Sequence, residues 1–267
     1  MITTPIHFTE YLDTISEYSE FDLSPYSDSI NHRLMNFMES ERIGSVFELK
    51  YKLKNDRQFH MKLLEGVTVR YTEVFRDPQF YLTLRNQVLP YLSTFSNIKI
   101  WVAGCATGEE VYSLAILLQE YDMLEQSTIY ATDINSDSLA VAERGVYHPT
   151  RIREYTLNYA KSGGRLHFGK YYSIKNDKLV MSEQLKSRVH FVKSDLLKDK
   201  PEGEFNMVLC RNVLFYFTEE YQKMVVEKVA DSIRNYGYFA TGVSEKICTK
   251  NAFSCIDHAN KIYRKVI

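Results

Sequence analysis

The 267-residue sequence is 45% hydrophobic, enough for a substantial core, and its formal net charge of -1 leaves no basic surplus for gripping nucleic-acid phosphates. Cys105, Cys210, Cys248 and Cys255 form no CxxC pair and the seven histidines fall at no ligand spacing, so neither a metal site nor a disulfide framework is expected. The opening MITTPIHFTEYLD is acidic without an apolar h-region, and no run approaches the ~18 apolar residues of a membrane span, so a cytoplasmic protein with reduced thiols and no membrane span is expected.

In chain order, the sequence to about Gly66 is helical in pattern, with Phe8, Tyr11, Leu12 and Ile15 on one face and Ile30, Leu34, Phe37 and Met38 on another. Between Glu65 and Pro78 the pattern changes to EGVTVRYTEVFRDP, read as an extended linker whose Asp77 caps a helix started by Pro78. Phe80, Leu84, Val88 and Leu92 then form the buried stripe of a lead-in helix.

Lys99 to Glu110, KIWVAGCATGEE, joins a short apolar strand to a helix through a turn holding Gly104 and Gly108. Small residues there let the backbone approach a bound molecule closely. Val111, Leu114, Ala115 and Leu118 place the following helix against a sheet. The next strand, STIYATD, stops at Asp133, where an acidic side chain either accepts ribose hydroxyls or caps the helix that ends at Gly145.

Residues 150 to 190 interrupt the alternation with short β-prone runs around an Asn176-Asp177 turn, which suggests a small antiparallel insert. Ser187 to Val192 returns to the main sheet and is followed by Asp195 and Leu196. EFNMVLCRNVLFYF then forms a buried fourth strand whose carboxyl end carries Arg211, Asn212 and Tyr216, the edge at which open α/β sheets bind ligands. A helix with Tyr221, Met224, Val225 and Val229 ends at Asn235 and Gly237, and two further β-prone segments, YFATGVSE and KIYRKVI, close the chain.

The blocks VTVRYTEVFRDP, WVAGCATGEEVYSLA, ATDINSDSLAVAERGVY and LCRNVLFYF, in that order after a helical start, resemble the CheR family of chemotaxis protein-glutamate O-methyltransferases. The resemblance implies an α/β, doubly wound, Rossmann-like S-adenosylmethionine-dependent methyltransferase domain with a small antiparallel β-subdomain, preceded by a small all-α domain. On that basis residues 1–66 are the helical domain, 67–90 the linker and lead-in helix, and 91–267 the cofactor-binding domain with its insert at about 160–190. The implied reaction moves the methyl group of S-adenosylmethionine to a glutamate carboxylate of a protein, releasing S-adenosylhomocysteine.

By motif, the resemblance makes Thr72, Arg76, Gly104, Glu110, Asp133, Asp195, Leu196, Cys210 and Arg211 cofactor-binding, and Arg76 and Tyr216 catalytic. Its implied partner is a protein substrate, such as the methylation helices of a chemoreceptor, acted on by a monomer. Arg70 departs from the Asn common at that place, and HRLMNFMESER is less basic than the second helix of many chemotaxis enzymes. A cofactor-binding sensor or recruitment module, and a methyltransferase for a non-receptor protein or small carboxylate, are the alternatives.

Overall fold

The computed structural model describes residues 5–18, 26, 28–67, 72–199, 203–247 and 252–266. By compactness the chain divides into two units, residues 1–69 with 215–221, and residues 70–214 with 222–267. Residues 215–221, assigned from the sequence to the second domain, thus cluster with the first.

The first unit contains α1 (Pro5–Tyr18), α2 (Asp28–Ser40), α3 (Val46–Asn55) and α4 (Arg57–Val67). Tyr11 and Ile15 of α1 and Ile30, Leu34 and Met38 of α2 are buried, as their spacing predicts. Gly66 has no Cβ because Phe37 occupies its place: a Cβ there would lie 2.3 Å from that ring. Glu65, Gly66 and Val67 are helical rather than extended, because Val67 is buried in this core and tertiary packing overrides the strand preference of its β-branched side chain. Residues 68–71 of the expected linker, Arg70 among them, lie outside the described residues.

The second unit opens with α5 (Pro78–Thr83), a π-turn over Leu84–Val88 and α6 (Leu89–Leu92). Pro90 has no N–H to return to residue 86, and the helix widens just before it, with Leu89 N donating to the Leu84 carbonyl. Phe80, Leu84, Val88 and Leu92 are fully buried along this stretch. There follow β1 (Ile98–Ala103), α7 (Glu109–Glu120), β2 (Ser127–Asp133), α8 (Ser136–Arg144) and β3 (Val146–Tyr147). Next come α9 (Ile152–Lys161), β4 (Tyr172–Lys175), β5 (Lys178–Met181), α10 (Glu183–Lys186) and β6 (Val189–Lys193). The chain ends with β7 (Phe205–Cys210), α11 (Glu219–Ser232), β8 (Ile233–Thr241), β9 (Phe253–Asp257) and β10 (Ile262–Lys265).

Seven strands form one sheet in the order β6-β2-β1-β7-β8-β10-β9. β6, β2, β1, β7 and β8 are parallel, and β10 runs antiparallel to both β8 and β9. This is the α/β, doubly wound arrangement expected. β7 lies between β1 and β8 and all six of its residues are buried, which explains why it is apolar except at Asn206, whose Oδ1 accepts from Lys99 N at 2.8 Å. The order reverses between β1 and β7, so the crevice at their carboxyl ends is the topological switch point where ligands bind in such sheets.

The insert is a three-stranded sheet, β3-β5-β4, with Asn176 and Asp177 both at positive φ in the β4–β5 turn. Its first strand, Val146–Tyr147, lies ahead of the range expected for the insert.

Two further expectations need correction. α11 stops at Ser232, because Ile233 is buried and already pairs with Phe205 as the start of β8. Gly237 is therefore not a helix terminator. A Cβ on it would meet the Asn206 carbonyl at 2.9 Å, where the β7–β8 register shifts, so it permits a close backbone approach in a bulged strand. The second correction is that β9 accompanies β8 and β10, making three closing strands where two were expected. Among the described residues no helix is long and apolar enough to cross a membrane.

Candidate functional site

The carboxyl ends of β1, β2 and β7 bring Gly104, Asp133, Cys210 and Arg211 to one edge of the sheet. After Ala103 the chain turns sharply, with Gly104 N and Cys105 N both donating to the Thr132 carbonyl of β2 at 2.8 and 2.9 Å. Gly104 and Gly108 have φ of 73° and 91°, and Ala106 between them also has positive φ. Side chains resist that conformation by about 1–2 kcal/mol per residue, so the glycines release strain at two of the three places. A Cβ on Gly104 would lie 2.5 Å from Val213 Cγ2, and one on Gly108 would lie 2.7 Å from Ala142 Cβ. The close approach that these glycines permit is thus to the protein itself: Gly104 meets the loop after β7, and Gly108 meets α8.

Asp133 holds this turn from the neighbouring strand. Its Oδ2 accepts from Ala106 N at 2.8 Å and its Oδ1 from Asn135 N at 2.9 Å. The N-cap of α8 is Asn135, whose Oδ1 accepts from Asp137 N and Ser138 N, so the reading of Asp133 as a cap is set aside.

Arg211 anchors the other side. Its side chain is 1% exposed and paired with two carboxylates: Nη1 donates to Glu110 in the first turn of α7, and Nη2 to Asp77 Oδ2 at 2.7 Å. The guanidinium also lies 3.9 Å over the Phe80 ring. Burial works against this charge, but Glu110, Tyr81 and Asp77 hold its pKa above the ordinary value. Asp77 does not act as the expected cap. It has φ 57° and makes no side-chain cap bond, and its carboxylate reaches Arg211. Thr72 and Arg76 lie in the half-buried segment just before it, which is tied to α7 by Phe75 N donating to Ser113 Oγ at 2.7 Å.

Beneath the turn is a buried carboxyl that the sequence reading passed over. Glu109 accepts from Thr107 Oγ1 at 2.6 Å and from Tyr155 OH at 3.2 Å, while Tyr147 OH donates to the Thr107 carbonyl at 2.7 Å. Burial pushes its pKa up to about 7 despite these bonds. Burial likewise raises the Cys105 and Cys210 thiols and the Tyr81, Tyr147 and Tyr155 hydroxyls, so these groups stay protonated at neutral pH.

Asp195 and Leu196 follow β6. The Asp195 carboxylate turns back on its own loop, accepting from Leu197 N at 2.9 Å and pairing with Lys198 at 3.5 Å. Lys228 of α11 fixes that loop through the carbonyls of Leu196, Leu197 and Asp199. Glu245, itself buried, joins the loops after β7 and β8 by accepting from Asn212 N at 3.0 Å and Gly242 N at 2.5 Å. Lys228 belongs to no motif read from the sequence, and Glu245 ends the β-prone segment YFATGVSE without being singled out there. Tyr216 falls in the first unit, half-buried on its core, with the Arg33 guanidinium 5.8 Å over its ring.

A glycine-bearing turn at the switch point, an acidic residue ending β2 and a buried arginine after β7 describe a nucleotide-type crevice. The family model for the CheR methyltransferase, SAM binding domain, matches residues 70–262. The chain belongs to this family. It is 36% identical over 266 residues to the putative methyltransferase Cher3 of Pseudomonas putida, covering 98% of this chain and 97% of that protein. It is 28% identical over 247 residues to a chemotaxis protein methyltransferase of Listeria innocua, covering 91% of each. With chemotaxis protein methyltransferase 1 of Pseudomonas aeruginosa it shares 28% identity over 230 residues, or 82% of this chain and 81% of that one. As a CheR-family member the chain is a methyltransferase enzyme, and its cofactor is S-adenosylmethionine.

The donor set of the crevice fits that cofactor. S-adenosylmethionine offers hydroxyls and an ammonium to acceptors, and Asp133 and Glu110 are acceptors at the carboxyl edge of the sheet. It also carries a carboxylate for a donor, and Arg211 Nε is a buried donor without a hydrogen-bond partner among the described residues.

Proposed function

We propose that this CheR-family enzyme transfers the methyl group of S-adenosylmethionine to a glutamate side-chain carboxylate of a protein, of the chemoreceptor kind, in the cytoplasm. Its products would be a glutamate methyl ester and S-adenosylhomocysteine. The relatives named as chemotaxis protein methyltransferases support the chemotaxis context.

The observation that carries the reading is the commitment of Glu110 to Arg211. That ion pair occupies the carboxylate that would otherwise be the readiest base at the crevice. Glu109 is buried and already accepts two hydroxyl hydrogens, and the nearby thiols and phenols stay protonated. A nucleophile that needs no deprotonation suits such surroundings, and a glutamate carboxylate is already an anion at neutral pH. The cofactor, when bound, supplies an activated methyl group on a sulfonium leaving group.

The chain's own contribution is then positioning and exclusion of water. Asp133 would hold ribose hydroxyls, Glu110 and Arg211 with Thr72 and Gly104 would hold the amino-acid end, and Asp195, Leu196 and Cys210 would line the remainder. Arg76 holds a carboxylate of substrate or cofactor, and Tyr216 orients the attacking oxygen rather than activating it, since a strong hydrogen bond to the nucleophile would slow it.

Incubation with methyl-labelled S-adenosylmethionine and chemoreceptor-bearing membranes tests this. Label released as methanol by mild base supports a glutamate ester. Base-stable label, or label confined to a small carboxylate, would overturn it.

A further inference from the structure

The two most exposed large apolar side chains among the described residues are neighbours: Phe47 at 78% and Tyr51 at 64%, one turn apart on α3. Scattered exposed apolar side chains need no explanation, but two aromatics on one helical stripe form a patch. Lys50 and Lys54 complete the stripe at i, i+3, i+4 and i+7, while Leu49 and Leu53 on the opposite face are buried in the unit's core. The face is therefore additional to what folding requires of α3.

The charges of the stripe itself are both positive. The Lys50 and Lys54 ammoniums lie 4.3 and 4.6 Å from the centroid of Tyr18 on α1, and neither is in an ion pair among the described residues. The one acid of α3, Glu48, is turned back to accept from Gly44 N at 2.8 Å. Lys52 is directed elsewhere, over the Phe59 ring. Glu17 of α1 is the acidic neighbour of Lys50. What remains outward is an aromatic pair flanked by two lysines held against a third ring. That surface complements an amphipathic helix with apolar residues on one side and carboxylates beside them.

We infer that the Phe47–Lys50–Tyr51–Lys54 face of α3 docks an acidic amphipathic helix of the protein whose glutamate receives the methyl group. The inference rests on the proposed protein-glutamate reading. It assigns recognition to α3, because the second helix is only mildly basic and its Arg33 lies over Tyr216. The aromatic pair supplies the apolar contact, and the lysines set the sign and register of the partner.

The test uses the full chain with S-adenosylhomocysteine and a fluorescein-labelled helical peptide of Glu, Ala and Leu, its leucines at i, i+3 and i+4 spacing. Anisotropy should report saturable, salt-sensitive binding, and the same peptide with Lys for every Glu should not bind. The Phe47→Ser/Tyr51→Ser and Lys50→Glu/Lys54→Glu variants should each weaken the acidic peptide by about ten-fold or more, the loss expected for a truncated anchor. Their thermal melts and S-adenosylhomocysteine affinity should stay at wild-type values. Unchanged peptide affinity in both variants overturns the assignment. So does equal binding of the lysine peptide, or a self-association of the wild type that Phe47→Ser/Tyr51→Ser abolishes, because a second copy would then be the occupant. Base-labile methylation is scored separately on the same preparations. A chain that binds the acidic peptide through these residues but forms no glutamyl ester would sink the proposed reaction and leave the docking face standing.

Discussion

Arg211 Nη2 donates to Asp77 Oδ2 at 2.7 Å, across 134 residues of sequence, so the loop after β7 and the segment entering α5 are held by one buried guanidinium. The same group reaches Glu110 on α7. Three separate stretches read from the sequence as motifs thus converge on one side chain.

Removing that side chain should be costly. Arg211→Met leaves Glu110 and Asp77 facing each other without a cation, and the expected loss is about 3 kcal/mol, the lower end for breaking a buried pair, because Asp77 is 29% exposed and can recover water. Asp77→Asn should cost about 1 kcal/mol, since Glu110 still holds the guanidinium. Urea unfolding of the three proteins checks the ranking. Equal losses would mean that Asp77, not Glu110, is the principal partner.

Glu109 gives a pH prediction. Its folded pKa, about 7, lies above the ordinary glutamate value, so the folded state holds a proton that the unfolded chain gives up. The stability this supports is complete below the unfolded pKa and is lost as pH rises through about 7. Glu109→Gln keeps a neutral polar group among Thr107, Tyr155 and Tyr147, and should be more stable than the wild type at pH 8 by about 2–3 kcal/mol, with little difference at pH 4.5. Paired denaturation curves at the two pH values decide, and a constant difference would remove Glu109 as the titrating group.

Why some of this was legible and some not follows from the physics of particular residues. The π-turn aside, Phe80, Leu84, Val88 and Leu92 are buried as their periodicity demands, because a helix exposes or buries by spacing alone. Gly145 closes α8 in the left-handed conformation, a local event written in a local residue. Asp77 was misread because Asp before Pro is a good cap by local rules, and only the fold reveals an arginine waiting 134 residues on. Lys228 bonds to backbone carbonyls of a distant loop and Glu245 to the distant Asn212 amide, and such bonds leave no pattern in the sequence of either partner. Gly237 ended the expected helix for the same reason: a bulge glycine and a terminating glycine look alike until the neighbouring strand is present.

At Gly104 two effects can be separated. A Cβ there meets Val213 at 2.5 Å and the backbone is at φ 73°, so Gly104→Ala should lose about 2 kcal/mol, part steric and part conformational. Adding Val213→Ala should recover the steric part and leave about 1 kcal/mol of backbone strain. A double-mutant cycle by thermal unfolding measures the coupling. Strict additivity would mean that the two side chains do not meet.

Asp133 and Asn135 should divide the labour of the turn after β2. Asn135→Ala removes the cap of α8 and should cost about 1 kcal/mol of stability with cofactor affinity little changed. Asp133→Asn should weaken S-adenosylmethionine and S-adenosylhomocysteine alike, by about 1–3 kcal/mol, because both carry the same ribose. Calorimetry with each ligand checks this, and affinity unchanged for both would leave Asp133 only as a brace for the Ala106 and Asn135 amides.

Tyr216 poses the sharpest choice. It follows Arg211 by a few residues, yet its ring packs on the core of the first unit with Arg33 above it, so a purely structural role has a concrete basis. Tyr216→Phe keeps that ring and its cation contact and deletes only the hydroxyl, which isolates the group proposed to orient the attacking oxygen. If orientation is its role, kcat should fall while S-adenosylmethionine affinity and the melting temperature stay close to wild type, the pattern of an interaction made mainly in the transition state. If the hydroxyl serves packing instead, the melting temperature should drop and the folded fraction should turn over normally. Tyr216→Ala separates the two further: it removes ring and hydroxyl together, and should add a stability loss without a larger fall in single-turnover rate than Tyr216→Phe shows. Single-turnover methylation and a thermal melt on the same preparations decide, and a destabilised but fully active Tyr216→Phe would end the positioning assignment.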